Sequence, residues 1–270
     1  VEKRLPPGDL SSKYFEKRLL LQGAFFVFHV QPFFLCRRAG CIQFCPPHDN
    51  NMNSPAAVIF DLDGTLLDTL DDLADSANEA LAACGLPVHP VNAYRTFVGE
   101  GMAVLIERIL PPERREPPLF QQVLQTYQSV YSRRWREKSR PYPGIVDMLL
   151  ALKAKGIPLT VLSNKPQAYT EICMAHFLEG FGFEIILGQR DHVPRKPNPA
   201  GALEIAQRLS LDPSRILFIG DTATDMDTAT AAGMIPVGVL WGFREEEELR
   251  AHGARYIVSD PAGIPALFPL

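Results

Sequence analysis

From residue 143 onward, short apolar runs alternate with amphipathic helical stretches, and few folds accept that pattern. A helix over about Gly144 to Lys155 precedes a strand at Pro158–Ser163, and a helix through Thr170–Phe177 precedes a strand at Phe183–Leu187. A helix at Pro199–Leu209 then precedes Arg215–Gly220, one from about Asp225 to Ala232 precedes Ile235–Leu240, and Tyr256–Ser259 is a last short strand. Strands joined through helices pair in parallel, and a parallel sheet needs cover on both faces. Ala56-Ala57-Val58-Ile59-Phe60 reads as a further buried strand of that kind. The expected fold is α/β, a doubly wound and mostly parallel sheet.

A helical block interrupts this pattern. Leu70, Leu73, Ala74, Ala77 and Leu81 form one stripe of a helix from Leu70 to Cys84, with Gly85 as its stop. Helical stretches at Tyr94–Leu110 and Leu119–Trp135 follow, without strand signals. In the second, Phe120, Val123, Leu124, Tyr127, Val130 and Tyr131 fall at helical spacing, which reads as core packing. The block predicts an all-helical domain over residues 70–140, inserted into a core made of 52–69 and 141–270. The run Glu245–Glu248 reads as a solvated helix start.

Residues 1–51 do not share this patterning. Leu19 to Cys36 carries no charged residue, follows Lys17-Arg18 and is rich in phenylalanine. Gln22, Gln31 and Pro32 break the run as a membrane anchor or signal segment. Cys36, Cys41 and Cys45 with His29 or His48 could suggest zinc, but intervals of four and three residues suit no common zinc motif. The first methionine is Met52, immediately before the first clean strand, so the segment is set aside as an extension outside the functional fold. A net charge of -4 gives no basic excess for nucleic acid or an anionic membrane. Five scattered cysteines form no disulfide framework, which points to a reducing, cytoplasmic setting.

Polar residues collect where the strands end. Asp61 and Asp63 follow the first strand, Ser163 and Asn164 close the next, Arg195-Lys196-Pro197 follows the third, and Gly220-Asp221 with Asp225 follows the fourth. Ligands of such sheets bind beyond the strands' carboxyl ends. Each residue alone has a plain structural reading, Asp221 and Asp225 as caps of the next helix among them. Together they meet the needs of phosphoryl transfer. A carboxylate can act as nucleophile, clustered carboxylates need a cation, oxygen ligands suit Mg²⁺, and a lysine and a hydroxyl can bind the remaining phosphate oxygens.

The chain from Met52 onward resembles the haloacid dehalogenase superfamily, with its Rossmann-like core. Asp61-Leu62-Asp63-Gly64-Thr65 matches its first motif, Ser163 its second, Lys196 its third, and Gly220-Asp221-Thr222-Ala223-Thr224-Asp225 its fourth. The resemblance implies Asp61 as nucleophile and Asp63 as acid and base. It implies Mg²⁺ held by Asp61, the Asp63 carbonyl, Asp221 and Asp225, and a phosphoryl group bound by Thr65, Ser163, Asn164 and Lys196. Asp63 argues for phosphate rather than halide chemistry.

The position of the helical insert resembles the cap of the phosphoglycolate phosphatase-like branch. Arg95 with Val98-Gly99-Glu100-Gly101, Ser163-Asn164-Lys165-Pro166 and Trp241-Gly242-Phe243 are further likenesses. The family usually has Thr at the place of Ser163, often Tyr at Phe243 and often Asn at Glu100. Arg95, Gly99 and Gly101 are the expected cap contacts with substrate, a surface charge being the other reading of Arg95. The expected function is a Mg²⁺-dependent phosphatase of a small phosphorylated metabolite, 2-phosphoglycolate first, acting as monomer or homodimer. A β-phosphoglucomutase-like phosphotransferase and a catalytically inactive binding protein are the alternatives.

Overall fold

The computed structural model describes residues 54–269. The extension and its cysteines lie outside the described residues. Strand β1 (Ala57–Phe60) is wholly buried and sits at the centre of a parallel six-stranded sheet. A two-residue strand, β2 (Leu67–Asp68), leads into the helical insert: α1 (Leu70–Ala83), α2 (Tyr94–Phe97), α3 (Met102–Ile109) and α4 (Pro117–Arg134). The chain returns through β3 (Arg140–Pro141), which pairs antiparallel with β2. Then follow α5 (Ile145–Ala154), β4 (Leu159–Pro166), α6 (Gln167–Phe177), β5 (Ile185–Gln189) and α7 (Ala200–Leu209). The chain closes with β6 (Ile216–Gly220), α8 (Ala223–Ala231), β7 (Ile235–Val239), α9 (Glu246–Ala251) and β8 (Tyr256–Val258). The sheet order is β5-β4-β1-β6-β7-β8. Among the described residues no helix is long and apolar enough to cross a membrane.

Alternation along β1 sorts its side chains between two cores. Val58 and Phe60 pack with Ile145, Met148 and Leu149 of α5 on one face. Ala57 and Ile59 pack with Ala202 and Ile205 of α7 on the other. Each large side chain so buried contributes about 1.5–3 kcal/mol. β1 lies between β4 and β6, with Val58 in register with Leu159 and Leu217, so the ends of three strands open onto one edge.

The insert has its own core, in which Leu73, Ala77 and Leu81 of α1 meet Leu105, Ile106, Val123, Tyr127 and Tyr131. The helix expected over Tyr94–Leu110 is two helices, broken at Val98–Gly101. Gly101 has φ 87°, and an added Cβ would lie 3.3 Å from the Asn164 carbonyl oxygen, so this turn can approach the core only as glycine. β4 also runs beyond Ser163 to Pro166, where it pairs with Gln189 of β5 after an irregularity in register.

Candidate active site

The sheet edge gathers the acidic residues. Asp61, directly after β1, is 5% exposed, and Asp221 and Asp225 are fully buried. One carboxylate oxygen from each falls within 4.8 Å of the others. Lys196 closes the group, its Nζ 2.9 Å from Asp61 Oδ1 and 2.6 Å from Asp225 Oδ1.

Each fixed carboxylate has an assigned partner set. Asp221 accepts hydrogen bonds from the Thr65 hydroxyl (2.9 Å) and the Phe243 backbone N–H (2.7 Å). Asp225 accepts from the Thr222 N–H and hydroxyl at the start of α8 while its other oxygen meets Lys196. Capping and site-building are thus both roles of Asp225. Gly64 has φ 90°, and a Cβ there would stand 2.3 Å from Asp221 Oδ2, so the turn after Asp63 closes onto Asp221 only without a side chain.

Burial raises the Asp61 pKa to about 7, against the pull of Lys196 and with the push of Asp225 and Asp63. Asp221 is raised well above the carboxylate range by burial, then by Asp225 and Asp61. Three buried carboxylates face one buried ammonium, a deficit of positive charge. Asp61 Oδ1 is also buried without an aligned hydrogen-bond donor, although Lys196 lies near it. An oxygen-ligated divalent cation answers both features, and the donor set suits Mg²⁺.

Asp63 differs from these. Its side chain is 18% exposed, accepts from the Thr69 hydroxyl (2.9 Å), and is ion-paired with Lys165 Nζ at 2.9 and 3.0 Å. Its carboxylate is not among the three that converge. Burial pulls the Lys165 pKa down, but Asp63 in particular carries it well above the ordinary lysine range.

A cavity opens beside Asp61 and Asp63, lined from the core by Ser163, Asn164, Lys165 and Pro166. From the insert come Leu73, Val98, Gly99, Gly101, Met102, Leu105, Tyr127 and Tyr131. Ser163, Gly99 and Gly101 therefore all line the cavity. Three other candidate residues make side-chain contacts within the fold. Thr65 is fully buried and its hydroxyl donates to Asp221, so its side chain positions a carboxylate. The Asn164 amide donates to the Gly99 and Lys196 carbonyls and accepts from the Lys196 N–H. Its side chain ties insert to core and has no free donor for phosphate. Arg95 does not line the cavity, and its guanidinium donates to the Gly242 carbonyl.

The comparisons with known proteins agree with this geometry. Residues 58–239 match the family model for haloacid dehalogenase-like hydrolases. The chain belongs to the haloacid dehalogenase-like hydrolases. Within that family it is a phosphatase, a hydrolase of phosphoric monoesters. The phosphoglycolate phosphatase of Thiobacillus denitrificans is 35% identical, over 69% of this chain and 84% of that protein. The phosphoglycolate phosphatase of Haemophilus influenzae is 32% identical, over 77% of this chain and 96% of that protein. Among solved structures, a predicted phosphoglycolate phosphatase from Haemophilus somnus superposes with a TM-score of 0.72 at 30% identity, covering 79% of this chain and 97% of that one.

Sequence reasoning named four core segments of this haloacid dehalogenase-like site but gave no site role to Lys165, Tyr127 or Tyr131. A signal for Lys165 was present: it stands two residues after Ser163 on β4, and residues two apart share a strand face. The tyrosines belong to the core stripe, as expected, and line the cavity as well.

Proposed function

We propose that this haloacid dehalogenase-like phosphatase hydrolyses a small phosphate monoester, 2-phosphoglycolate first among candidates, with Mg²⁺ and through a phosphorylated Asp61. The observation that carries the reading is Asp61 itself, a buried carboxylate at the cavity wall whose second duty is to the acidic cluster. Asp61, Asp221 and Asp225 would hold Mg²⁺, with the Asp63 carbonyl as a further ligand, and the ion would supply positive charge against the phosphoryl oxygens.

In the first step an Asp61 carboxylate oxygen bonds to phosphorus in line with the leaving oxygen. The bond from phosphorus to that oxygen breaks, and Asp63 supplies the proton the leaving alkoxide needs. Ser163 and Lys196 would donate to the transferring group's oxygens, since both sit at this edge and are nearly buried. In the second step Asp63 takes a proton from water as the water oxygen attacks phosphorus. The bond to Asp61 breaks and phosphate departs. The helical insert would act as a cap, setting the leaving group's surroundings and excluding bulk water.

The likeness to phosphoglycolate phosphatases supports 2-phosphoglycolate. The test is phosphate release across small phosphate monoesters, with Mg²⁺ and with EDTA. Turnover is expected only with Mg²⁺, and highest on 2-phosphoglycolate. Full turnover after exhaustive metal removal would overturn the mechanism. A requirement for a sugar bisphosphate activator would favour the phosphotransferase.

A further inference from the structure

We propose that Lys165 and Tyr131 form the subsite that grips the leaving group, and that the group they select is a carboxylate. The inference rests on the phosphatase reading and names the residues that would set its specificity.

Among the described residues, Lys165 is the only cationic side chain that lines the cavity. It is 4% exposed at the end of β4. An ammonium carries three donors, and Asp63 receives bonds on two carboxylate oxygens. Tyr131 comes from the opposite wall, on α4 of the insert, and its ring lies 5.1 Å from Lys165 Nζ. The Tyr131 hydroxyl is buried near Lys165 and has no aligned hydrogen-bond partner. A buried, unpartnered hydroxyl costs stability and is uncommon unless something else bonds to it. Two donors from two domains of the chain therefore point into one space, beside the nucleophile.

The other walls explain why charge matters there. Leu73, Val98, Met102 and Leu105 offer no polar atoms to an anion. A carboxylate moved from water into such surroundings is strongly disfavoured unless a cation and a hydrogen bond replace its hydration. Lys165 supplies the cation and Tyr131 the hydrogen bond. Arg95, the cation expected at this place from sequence, is engaged with Gly242.

Capture of Lys165 by a substrate carboxylate also has a consequence for Asp63. Asp63 and the incoming carboxylate compete for one ammonium. A substrate carboxylate that takes Lys165 frees the Asp63 carboxylate from its ion pair, whereas a neutral leaving group leaves the Lys165–Asp63 pair intact.

The test separates binding from turnover. Binding of 3-phosphonopropionate, which carries a carboxylate, is compared by calorimetry with that of propylphosphonate, which carries a methyl in its place. The carboxylate should strengthen binding about 100-fold in the wild-type enzyme. Lys165→Met should bring that ratio to near unity. Tyr131→Phe, which keeps the ring and the Lys165–Asp63 pair, should lower it about tenfold. A wild-type ratio near unity, or a ratio that survives Lys165→Met, overturns the assignment. Wild-type phosphate release across small phosphate monoesters with Mg²⁺ is followed alongside. Its absence would sink the phosphatase reading, while retained turnover with a flat binding ratio sinks only the subsite.

Discussion

The two walls of the cavity are built on opposite principles. On the core side, Asn164 lines the cavity while Asp221, Asp225 and Lys196 adjoin Asp61 behind it; all four are nearly or fully buried, and their side-chain hydrogen bonds run to other core groups or to the insert's Gly99 carbonyl. On the insert side, apolar carbons dominate and the buried Tyr131 hydroxyl has no aligned partner. A wall whose atoms are mutually bonded can hold charges in place with little reorganisation during reaction. A wall of carbon and a free hydroxyl chooses by shape and by what it refuses to solvate. The first suits chemistry shared by a family, and the second suits choice among substrates.

Changes to the core wall should therefore abolish reaction, and the two aspartates should fail differently. Asp61→Asn should reduce turnover below detection, with no phosphorylated protein by intact mass. Asp63→Asn should slow alkyl phosphates by about 10²–10⁴-fold and affect an aryl phosphate less, because an aryl oxide leaves without protonation. With the aryl phosphate and Mg²⁺ it should accumulate protein heavier by one phosphoryl group. Rapid steady turnover of alkyl phosphates by Asp63→Asn would refute its acid–base role.

One step back from the reacting atoms, Thr65→Val removes the hydroxyl that holds Asp221. Mg²⁺ affinity should fall about 10–100-fold by titration, while turnover at saturating Mg²⁺ falls far less. Equal loss of both would place Thr65 against substrate after all.

The charge deficit of the core wall should also appear as a pH effect on stability. Asp61 has a folded pKa of about 7 against an ordinary 3.8. Between those values the folded state keeps a proton that the unfolded state has released, so raising the pH lowers stability until the folded group also ionises. Metal-free wild-type protein should lose stability across that window. Asp61→Asn should remove the loss and be more stable at pH 8 by on the order of 1–2 kcal/mol. Denaturant titrations in EDTA measure it, and a variant no more stable than wild type at pH 8 would contradict it.

The smallest effect belongs to the insert wall. Met102 lines the cavity and is half-buried. Met102→Ala should raise KM about threefold with kcat nearly unchanged, the signature of binding energy shared by ground and transition states. A large fall in kcat would erase the contrast between the walls.

The core wall was legible in sequence because it is written in short segments. A buried apolar run followed by an acid marks both a strand and the edge where it ends, as at Phe60-Asp61 and Gly220-Asp221. The direction of each side chain was not legible. Thr65 and Ser163 are both small hydroxyls beside the motif acids, yet one is fully buried against Asp221 and the other reaches the cavity. Arg95 turns to a backbone carbonyl that lies 147 residues away in sequence. Lys165 sits where a strand was expected to have ended, and its pairing with Asp63 depends on β4 continuing to Pro166. Such partnerships depend on approach in space, which local pattern does not encode.

The small ribbon of β2 and β3 has a consequence for how such a chain can change. Leu67 faces Pro141 and Asp68 faces Arg140, so the polypeptide departs from the sheet domain and rejoins it at adjacent strands. Paired strands stand about 5 Å apart. Everything between Thr69 and Ser139 therefore hangs from one narrow doorway, and no sheet strand lies within it. A longer, shorter or unrelated segment could be threaded through the same doorway without altering the order of the six strands. The acidic edge would be inherited unchanged while the room above it was rebuilt.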